Sequence, residues 1–260
     1  MRSGVISLLS DFGLRDPYAG IIKGVILGIN PEVNIVDLVH LVEPQDIQTA
    51  SFLLATCVDW FPRGTVHVAV VDPGVGSNRR AIAIQGEKHF YVGPDNGVFT
   101  LALRRDKPVG MVELRPNPES APIISSTFHG RDIFAPAAAR ISNGVALENM
   151  GTIINDYYKL ELEQNTIGES TAQTAIIHED SFGNLITLLH TSDLKQSVES
   201  VHIAGRDIPL RQTYAEVAQG EFLAYWGSSN YLEIAVNRGS AREALGVKVG
   251  DHVDVKLARR

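Results

Sequence analysis

"GVISLLSDFGLRDPYAGIIKGVILGINPEVNIVDLV", residues 4–39, is the stretch on which the fold turns. The apolar run "GVISLLS" stops at Asp11-Phe12-Gly13, which reads as a strand followed by a polar turn. "YAGIIKGVILGI" then spaces its apolar residues as one face of a helix and meets a stop signal at Asn30-Pro31. "VNIVDLV" is strand-like again. Strand, helix, strand is the grammar of a βαβ unit. It continues downstream. "DIQTASFLLATCVDWF", residues 46–61, is an amphipathic helix opened by Asp46 as its cap, and "GTVHVAVV", residues 64–71, is the next strand. "GRDIFAPAAARISNG", residues 130–144, reads as a loop entering a helix that Gly144 ends. These segments predict an α/β N-terminal domain with a mostly parallel central sheet.

The pattern breaks in "DYYKLELEQNTIGES", residues 156–170. Short alternating runs follow, among them "TAQTAIIHED", "NLITLLH", "VESVHIAG", "EFLAYW", "YLEIAVN" and "HVDVKLA", separated by Gly, Asn, Ser and Asp. That is the signature of a small antiparallel sheet or barrel. The expected division is an α/β domain over 1–157, a linker over 158–172 and a smaller all-β C-terminal domain over 173–260.

Composition narrows the class. The chain has 260 residues, 44% of them hydrophobic and 20% charged, as in ordinary globular proteins. Its net charge of −7 argues against nucleic acid or an anionic membrane as partner. No run approaches the roughly 18 apolar residues of a membrane span. The apolar start is interrupted at Asp11, unlike a signal peptide, so a cytoplasmic protein is expected. The single cysteine, Cys57, excludes an internal disulfide and a cysteine-rich metal site.

In open α/β sheets ligands bind beyond the carboxyl ends of the strands. Three polar stretches fall there: "SDFGLRDPY" (10–18), "DPGVGSNRR" (72–80) and "SSTFHGRDIFAP" (125–136). In the first, Asp11 and Asp16 flank a glycine, and a carboxylate at a strand end can accept both hydroxyls of a vicinal diol. Asp16, just before Pro17, reads equally as a helix N-cap. The second is either a tight turn centred on Pro73-Gly74 or a frame for a partly buried Asp72–Arg79 pair that could hold a water. In the third, His129 sits between Phe128 and Gly130, as a satisfied polar residue or a proton-handling one. Phe128 either fills core or stacks on a planar ring. Asp132 is a natural cap that Arg131 can pair with.

The remaining histidines, His40, His67, His89, His178, His190, His202 and His252, mostly lie in strand-like runs and read as structural. Asp72, Asp95, His129 and Asp132 are metal-ligating types, but no pair has the i, i+4 histidine spacing of a zincin, so no metal is expected. No G-x-S-x-G elbow, GxGxxG loop or P-loop is present. In the C-terminal half, "HEDSFGNLITLLH" gathers Asp180, Phe182 and Asn184 around a glycine, and an asparagine amide can both donate to and accept from an adenine edge. Asn184 could equally be a turn residue. "GSSNYLEIAVNRGSA" offers Ser228, Ser229 and the loop Asn237-Arg238-Gly239, whose backbone can read a base edge or simply close a hairpin.

Together "LLSDFGLRDPYAGIIKG", "VVDPGVGSNRRAI", "GPDNGVF", "TFHGRDIFAPAAA" and "SFGNLITLL" resemble the S-adenosyl-L-methionine hydroxide adenosyltransferase family, relatives of fluorinating and chlorinating enzymes. The motifs occur in family order over most of the chain. The resemblance implies hydrolysis of S-adenosyl-L-methionine at ribose C5′ to adenosine and L-methionine. It implies no cofactor beyond that substrate, and a homotrimer whose sites lie between the N-terminal domain of one subunit and the C-terminal domain of the next. It assigns Asp72, Arg79 and His129 to water activation, Asp11 to the ribose hydroxyls and Asp16 to the methionine ammonium. Phe128 would line the nucleoside pocket, and Phe182 and Asn184 would recognise adenine. Asp180 would support that loop or the amino-acid end, Ser228 would take the methionine carboxylate, and Arg238 joins the substrate-binding set.

The fluorinating relative resembled here carries tyrosines at the positions of Asp72 and His129, serine at Gly130, threonine at Val75 and tryptophan at Gln45. The charged set in this chain suits water. A halide-using adenosyl transferase and a non-catalytic S-adenosylmethionine or adenosine binder are the competing readings.

Overall fold

The computed structural model describes residues 3–116 and 123–258, which fall into two compact units divided between Leu160 and Glu161. The first contains β1 (Val5–Ser10), α1 (Tyr18–Ile29), β2 (Asn34–Val39), α2 (Ile47–Cys57), β3 (Val66–Val70), β4 (Ala81–Gly86), β5 (Phe90–Pro94), α3 (Thr100–Arg105), β6 (Pro108–Leu114), α4 (Ala135–Ser142) and β7 (Gly151–Ile153). The strands form one sheet in the order β2-β1-β3-β5-β4-β6-β7.

Only half of that sheet is parallel. β2, β1, β3 and β5 run together, whereas β5–β4, β4–β6 and β6–β7 are antiparallel. The sheet is therefore mixed, and the expectation of a mostly parallel one is corrected. The cause is local. Residues 87–89 alone separate β4 from β5, and a parallel return needs a crossover of a dozen or more residues. The reversal is a hairpin closed by Gly86 N–H donating to His89 O at 2.8 Å. Buried Asp106 fixes its tip, accepting from Lys88 N at 2.7 Å, His89 N at 3.0 Å and Tyr91 OH at 2.9 Å. A Cβ at Gly86 would come within 2.4 Å of that carboxylate, so the tip excludes a side chain.

Period-2 alternation splits the strands between two faces. Ile6, Leu8, Val66, Val68 and Val70 pack with Ile22 and Ile26 of α1 and Ala138 and Ile141 of α4. Each fully buried aliphatic side chain contributes about 1.5–3 kcal/mol. On the opposite face, Ser7 Oγ meets His67 Nδ1 at 2.6 Å and the His67 ring stacks on Tyr91. Burial, with the nearby His89 adding to it, pushes His67 down to about 3 and keeps it neutral. Asp46 caps α2 as the sequence suggested, accepting from Thr49 N at 2.9 Å.

The second unit contains β8 (Thr166–Ile167), β9 (Thr171–Glu179), β10 (Leu185–His190), β11 (Val198–Ile203), β12 (Arg206–Pro209), β13 (Phe222–Trp226), β14 (Tyr231–Val236), α5 (Ala241–Leu245) and β15 (His252–Leu257). The path β12-β11-β15-β9-β10-β14-β13 is antiparallel throughout. A bridge between Leu210 and Ala224 brings its two ends together, so the sheet nearly closes on itself. Its interior is aliphatic, with Ile176, Leu189, Val201, Ile234 and Val253 at the centre. Among the described residues no helix is long and apolar enough to cross a membrane.

Candidate active site

Ser10 at the end of β1 lies beside Val70 at the end of β3. The stretches that follow these parallel strands, 11–17 and 71–80, therefore emerge at one edge of the sheet. The stretch leading into α4 meets them there, and the three line a cavity of about 310 Å³ that includes Asp11, Asp72, Val75, Phe128 and His129.

The "DPGVGSNRR" stretch makes two successive turns, with Val75 N–H donating to Asp72 O at 3.2 Å and Ser77 N–H to Gly74 O at 3.0 Å. The Arg79 side chain then folds back across them. Its Nε donates to Asp72 Oδ1 at 2.8 Å and its Nη2 to Asp72 Oδ2. The Asp72 and Arg79 side chains are 6% and 10% exposed. The same Nη2 donates to His129 Nδ1 at 2.8 Å, and the guanidinium lies over the Phe134 ring. The loop is thus both a turn and a frame: it delivers Asp72 and Arg79 to His129, fifty residues later.

This geometry fixes the His129 tautomer. A guanidinium only donates, so Nδ1 accepts and the ring proton sits on Nε2. Burial lowers the His129 pKa, Arg79 lowers it further, and Asp72 and Asp132 pull the other way without reversing the shift. The neutral ring presents an N–H at Nε2.

Phe128 is fixed by edge contacts with Phe12 and Tyr18, and by the Arg131 guanidinium over its ring. Gly130 opens a π-helical turn, Gly130–Phe134, that runs into α4. A Cβ there would stand 3.0 Å from Ile22 Cδ1. Asp132 does not cap this helix; it is held by Arg131 Nε at 2.6 Å and Ser125 N at 2.8 Å. Asp11 Oδ2 accepts from Gln45 N at 3.0 Å, and Gln45 adopts φ 70°, a left-handed conformation unusual for a side-chain-bearing residue. Asp16 is exposed, does not line this cavity and does not cap α1, whose N-cap is Pro17.

In the second unit, Phe182, Asn184, Tyr214, Val236, Arg238 and Gly239 line a cavity of about 500 Å³. Asp180 organises the loop, accepting from Phe182 N and Asn184 N at 2.9 Å each and from Asn184 Nδ2 at 2.8 Å. Phe182 stands 78% exposed at the rim. Arg238 takes φ 57° in the β14–α5 loop. Ser228 is exposed in the turn after β13 and does not line this cavity. Tyr214 went unnoticed in the sequence because its run, "RQTYAEVAQG", carries no strand or helix periodicity. Its hydroxyl lies 2.9 Å from Tyr225 OH, which donates to Glu233 at 2.5 Å.

Of the metal-ligating types, Asp95 is engaged by Arg80 at 2.6 Å and by Tyr158 N at 2.7 Å. Among the described residues no group of three or more His, Cys, Asp or Glu side chains is placed to hold a metal ion.

Residues 6–151 match the model of the SAM hydroxide adenosyltransferase N-terminal domain, and residues 174–254 that of its C-terminal domain. A protein of Thermus thermophilus named (R)-S-adenosyl-L-methionine hydrolase is 43% identical, over 94% of this chain and 96% of its own. A fluorinase of Nocardia brasiliensis is more distant, 25% identical over 98% of each chain. A solved structure of a conserved protein from Thermotoga maritima superposes with a TM-score of 0.89 at 34% identity, over 96% of this chain and 99% of that one. Two family models that together span most of the sequence, and a full-length relative at this identity, show that the chain belongs to the SAM hydroxide adenosyltransferase family.

Proposed function

We propose that the protein hydrolyses S-adenosyl-L-methionine, with water attacking ribose C5′ in line with the departing sulfur. The C5′–O bond forms as the C5′–S bond breaks, the bonding pair goes to sulfur, and the water loses a proton. The products are adenosine, L-methionine and H⁺. The observation that carries this reading is that Asp72 and His129 line one cavity and are both bonded to Arg79. A sulfonium leaves as a neutral thioether, so neither a general acid nor a cofactor is required.

The roles follow from the bonds. Asp72 is the anionic acceptor that orients the water and takes its proton as the C5′–O bond forms, releasing it afterwards to solvent, and His129 Nε2–H donates a hydrogen bond that fixes the water oxygen on its line of approach. Arg79 holds both in place. With Nδ1 engaged by Arg79, the ring has no free lone pair to take the proton. Positioning supplies the larger share of the rate, roughly 7–11 kcal/mol when the attack geometry is near ideal. Asp11 takes the ribose hydroxyls and Phe128 the nucleoside. Asn184, Phe182 and Arg238, on a frame built by Asp180, take adenine. Asp16 and Ser228 take the methionine ammonium and carboxylate. The nucleoside residues divide between two cavities, one in each unit. A homotrimer in which neighbouring subunits complete each site accommodates that division.

The relative's name specifies the R configuration at sulfur, and we take that epimer as the substrate. Incubation with the resolved R epimer in ¹⁸O-water is expected to give adenosine labelled at its 5′-oxygen. Unlabelled product, or 5′-chloro-5′-deoxyadenosine predominating in chloride, would overturn the choice of nucleophile. Absence of turnover would leave only the binding reading.

The depressed His129 pKa sets the acid limb of the pH profile. Protonating Nδ1 would break the bond from Arg79. Because burial and Arg79 hold the pKa below the ordinary 6.5, kcat is expected to stay level as pH falls through 6.5 and to decline only at lower pH. A midpoint at or above 6.5 in a kcat–pH titration would contradict the assigned tautomer.

A further inference from the structure

Behind the Asp11 loop lies a chain of polar groups that the hydrolysis scheme does not use. Ser10 Oγ is 2.7 Å from His40 Nδ1, and His40 Nε2 is 3.0 Å from Asp37 Oδ1. Lys23 Nζ donates to Asp37 Oδ2 at 2.5 Å. Phe12 N–H donates to Ser10 Oγ over 3.4 Å. The proton order is determined by the carboxylate at the end. Asp37 accepts, so His40 Nε2 carries the ring hydrogen, Nδ1 accepts from Ser10 O–H, and Ser10 Oγ accepts from the Phe12 amide.

Serine, histidine and aspartate in a row suggest a nucleophile, but the burial denies it. Ser10 is 2% exposed, and it does not line the cavity that Asp11 and Phe12 line. His40 is 5% exposed. What the chain touches is the wall of that cavity. The His40 carbonyl accepts from Gly13 N at 2.7 Å, so His40 grips the Asp11 loop from both its ring and its backbone. Five residues on, Gln45 N donates to Asp11 Oδ2. The 40–46 segment is thereby fastened to the 10–13 segment at three points.

A local irregularity makes this possible. In an unbroken strand residues 37 and 40 point to opposite faces. β2 pairs Leu8 with Asp37 but Leu9 with Val39, so Leu38 is an extra residue, a β-bulge. Bulges re-aim side chains and concentrate near active sites. This one lets Asp37 and His40 meet and turns the imidazole toward Ser10.

We propose that His40, held by Asp37 and bonded to Ser10, is a positioning residue that fixes Asp11 and the Gln45 loop around the ribose. The inference rests on the assignment of the Asp11 cavity to the nucleoside end of the substrate. His40 touches no reacting atom, so its loss loosens binding more than chemistry. Losing Ser10 or His40, the two buried members of the set, corresponds to roughly a tenfold change in an equilibrium.

The test is steady-state hydrolysis of S-adenosyl-L-methionine by His40→Leu and Ser10→Ala, with thermal unfolding as the control for fold. KM is expected to rise about tenfold in each while kcat stays within about twofold. Ser10→Ala, a small and isosteric change, keeps the test open if His40→Leu does not fold. Asp37→Leu is expected to show the same KM rise, and Asp37→Asn, whose amide oxygen still accepts from His40 Nε2, to recover most of it. Asp11→Asn serves as the benchmark. If it raises KM while Ser10→Ala and His40→Leu do not, the cavity assignment stands and the positioning role is wrong. If Asp11→Asn itself leaves KM unchanged, the cavity assignment fails first. Equal KM in Asp37→Leu and Asp37→Asn, or a fall in kcat without a rise in KM, would also overturn the proposal.

Discussion

Arg79→Met is expected to lower kcat by roughly 10³-fold, with a much smaller change in KM for S-adenosyl-L-methionine. One guanidinium holds two groups. It fixes both Asp72 oxygens and occupies His129 Nδ1. Its loss frees the imidazole to change tautomer and lets the carboxylate rotate away from the water. Removing one preorganised donor from a charge-stabilising site costs about 10²–10³ in kcat, and disordering two partners at once reaches the upper end. Lysine does not substitute, because a point charge cannot span a carboxylate and an imidazole in one plane.

The same variant leaves Asp72 buried without a counter-charge, which destabilises by about 3–5 kcal/mol. Stability and catalysis therefore have to be separated. In the double variant Asp72→Asn/Arg79→Met the unpaired charge is gone, so thermal stability is expected to recover toward wild type while single-turnover rates stay low. A folded Arg79→Met protein with wild-type kcat would remove the site from the mechanism.

How much of this was legible in sequence depended on how local the cause was. Asp72 and Arg79 lie seven residues apart on one loop, and glycine and proline between them announce the reversal, so the pair stood as one of two readings of the stretch beside a plain turn. Asp180 and Asn184 share that property. The bounds of α1 match the sequence reading because Asn30-Pro31 stops the helix and the apolar spacing runs unbroken to Ile29. The sheet departs from the expected parallel direction at "AIAIQGEKHFYVGP", which is two strands with a three-residue tip and no room for a crossover.

Caps failed where backbone geometry displaced the expected residue. Pro17 takes the position offered to Asp16, and a π-helical turn absorbs Asp132. The Ser10–His40–Asp37 chain was illegible for a deeper reason. It depends on a register shift between β1 and β2, and the spacing of residues 37 and 40 argues against their meeting unless the bulge is known.

Gly76→Ala is the second large effect, and it addresses why the loop carries glycine at all. Gly76 has φ +78°, a region that costs a residue with a Cβ about 1–2 kcal/mol. A Cβ there would also stand 2.4 Å from the backbone carbonyl of Ser126, an atom that cannot swing aside as a side chain can. Either the 72–80 loop or the 125–129 segment must retreat. Asp72 belongs to the first and His129 to the second, so the displacement falls on the distance between them. A shift of about 1 Å in a positioned site costs on the order of 10² in rate, and kcat is expected to drop by that factor with the fold intact. Gly144→Ala isolates the backbone contribution, since Gly144 has φ +90° at the end of α4 with nothing within 4 Å of its built Cβ. It should lose only the part of the stability that backbone strain accounts for, about 1–2 kcal/mol, and keep kcat. If the two variants lose activity equally, strain alone accounts for the result. If only Gly76→Ala does, the close approach of two loops is what sets the geometry around the attacking water.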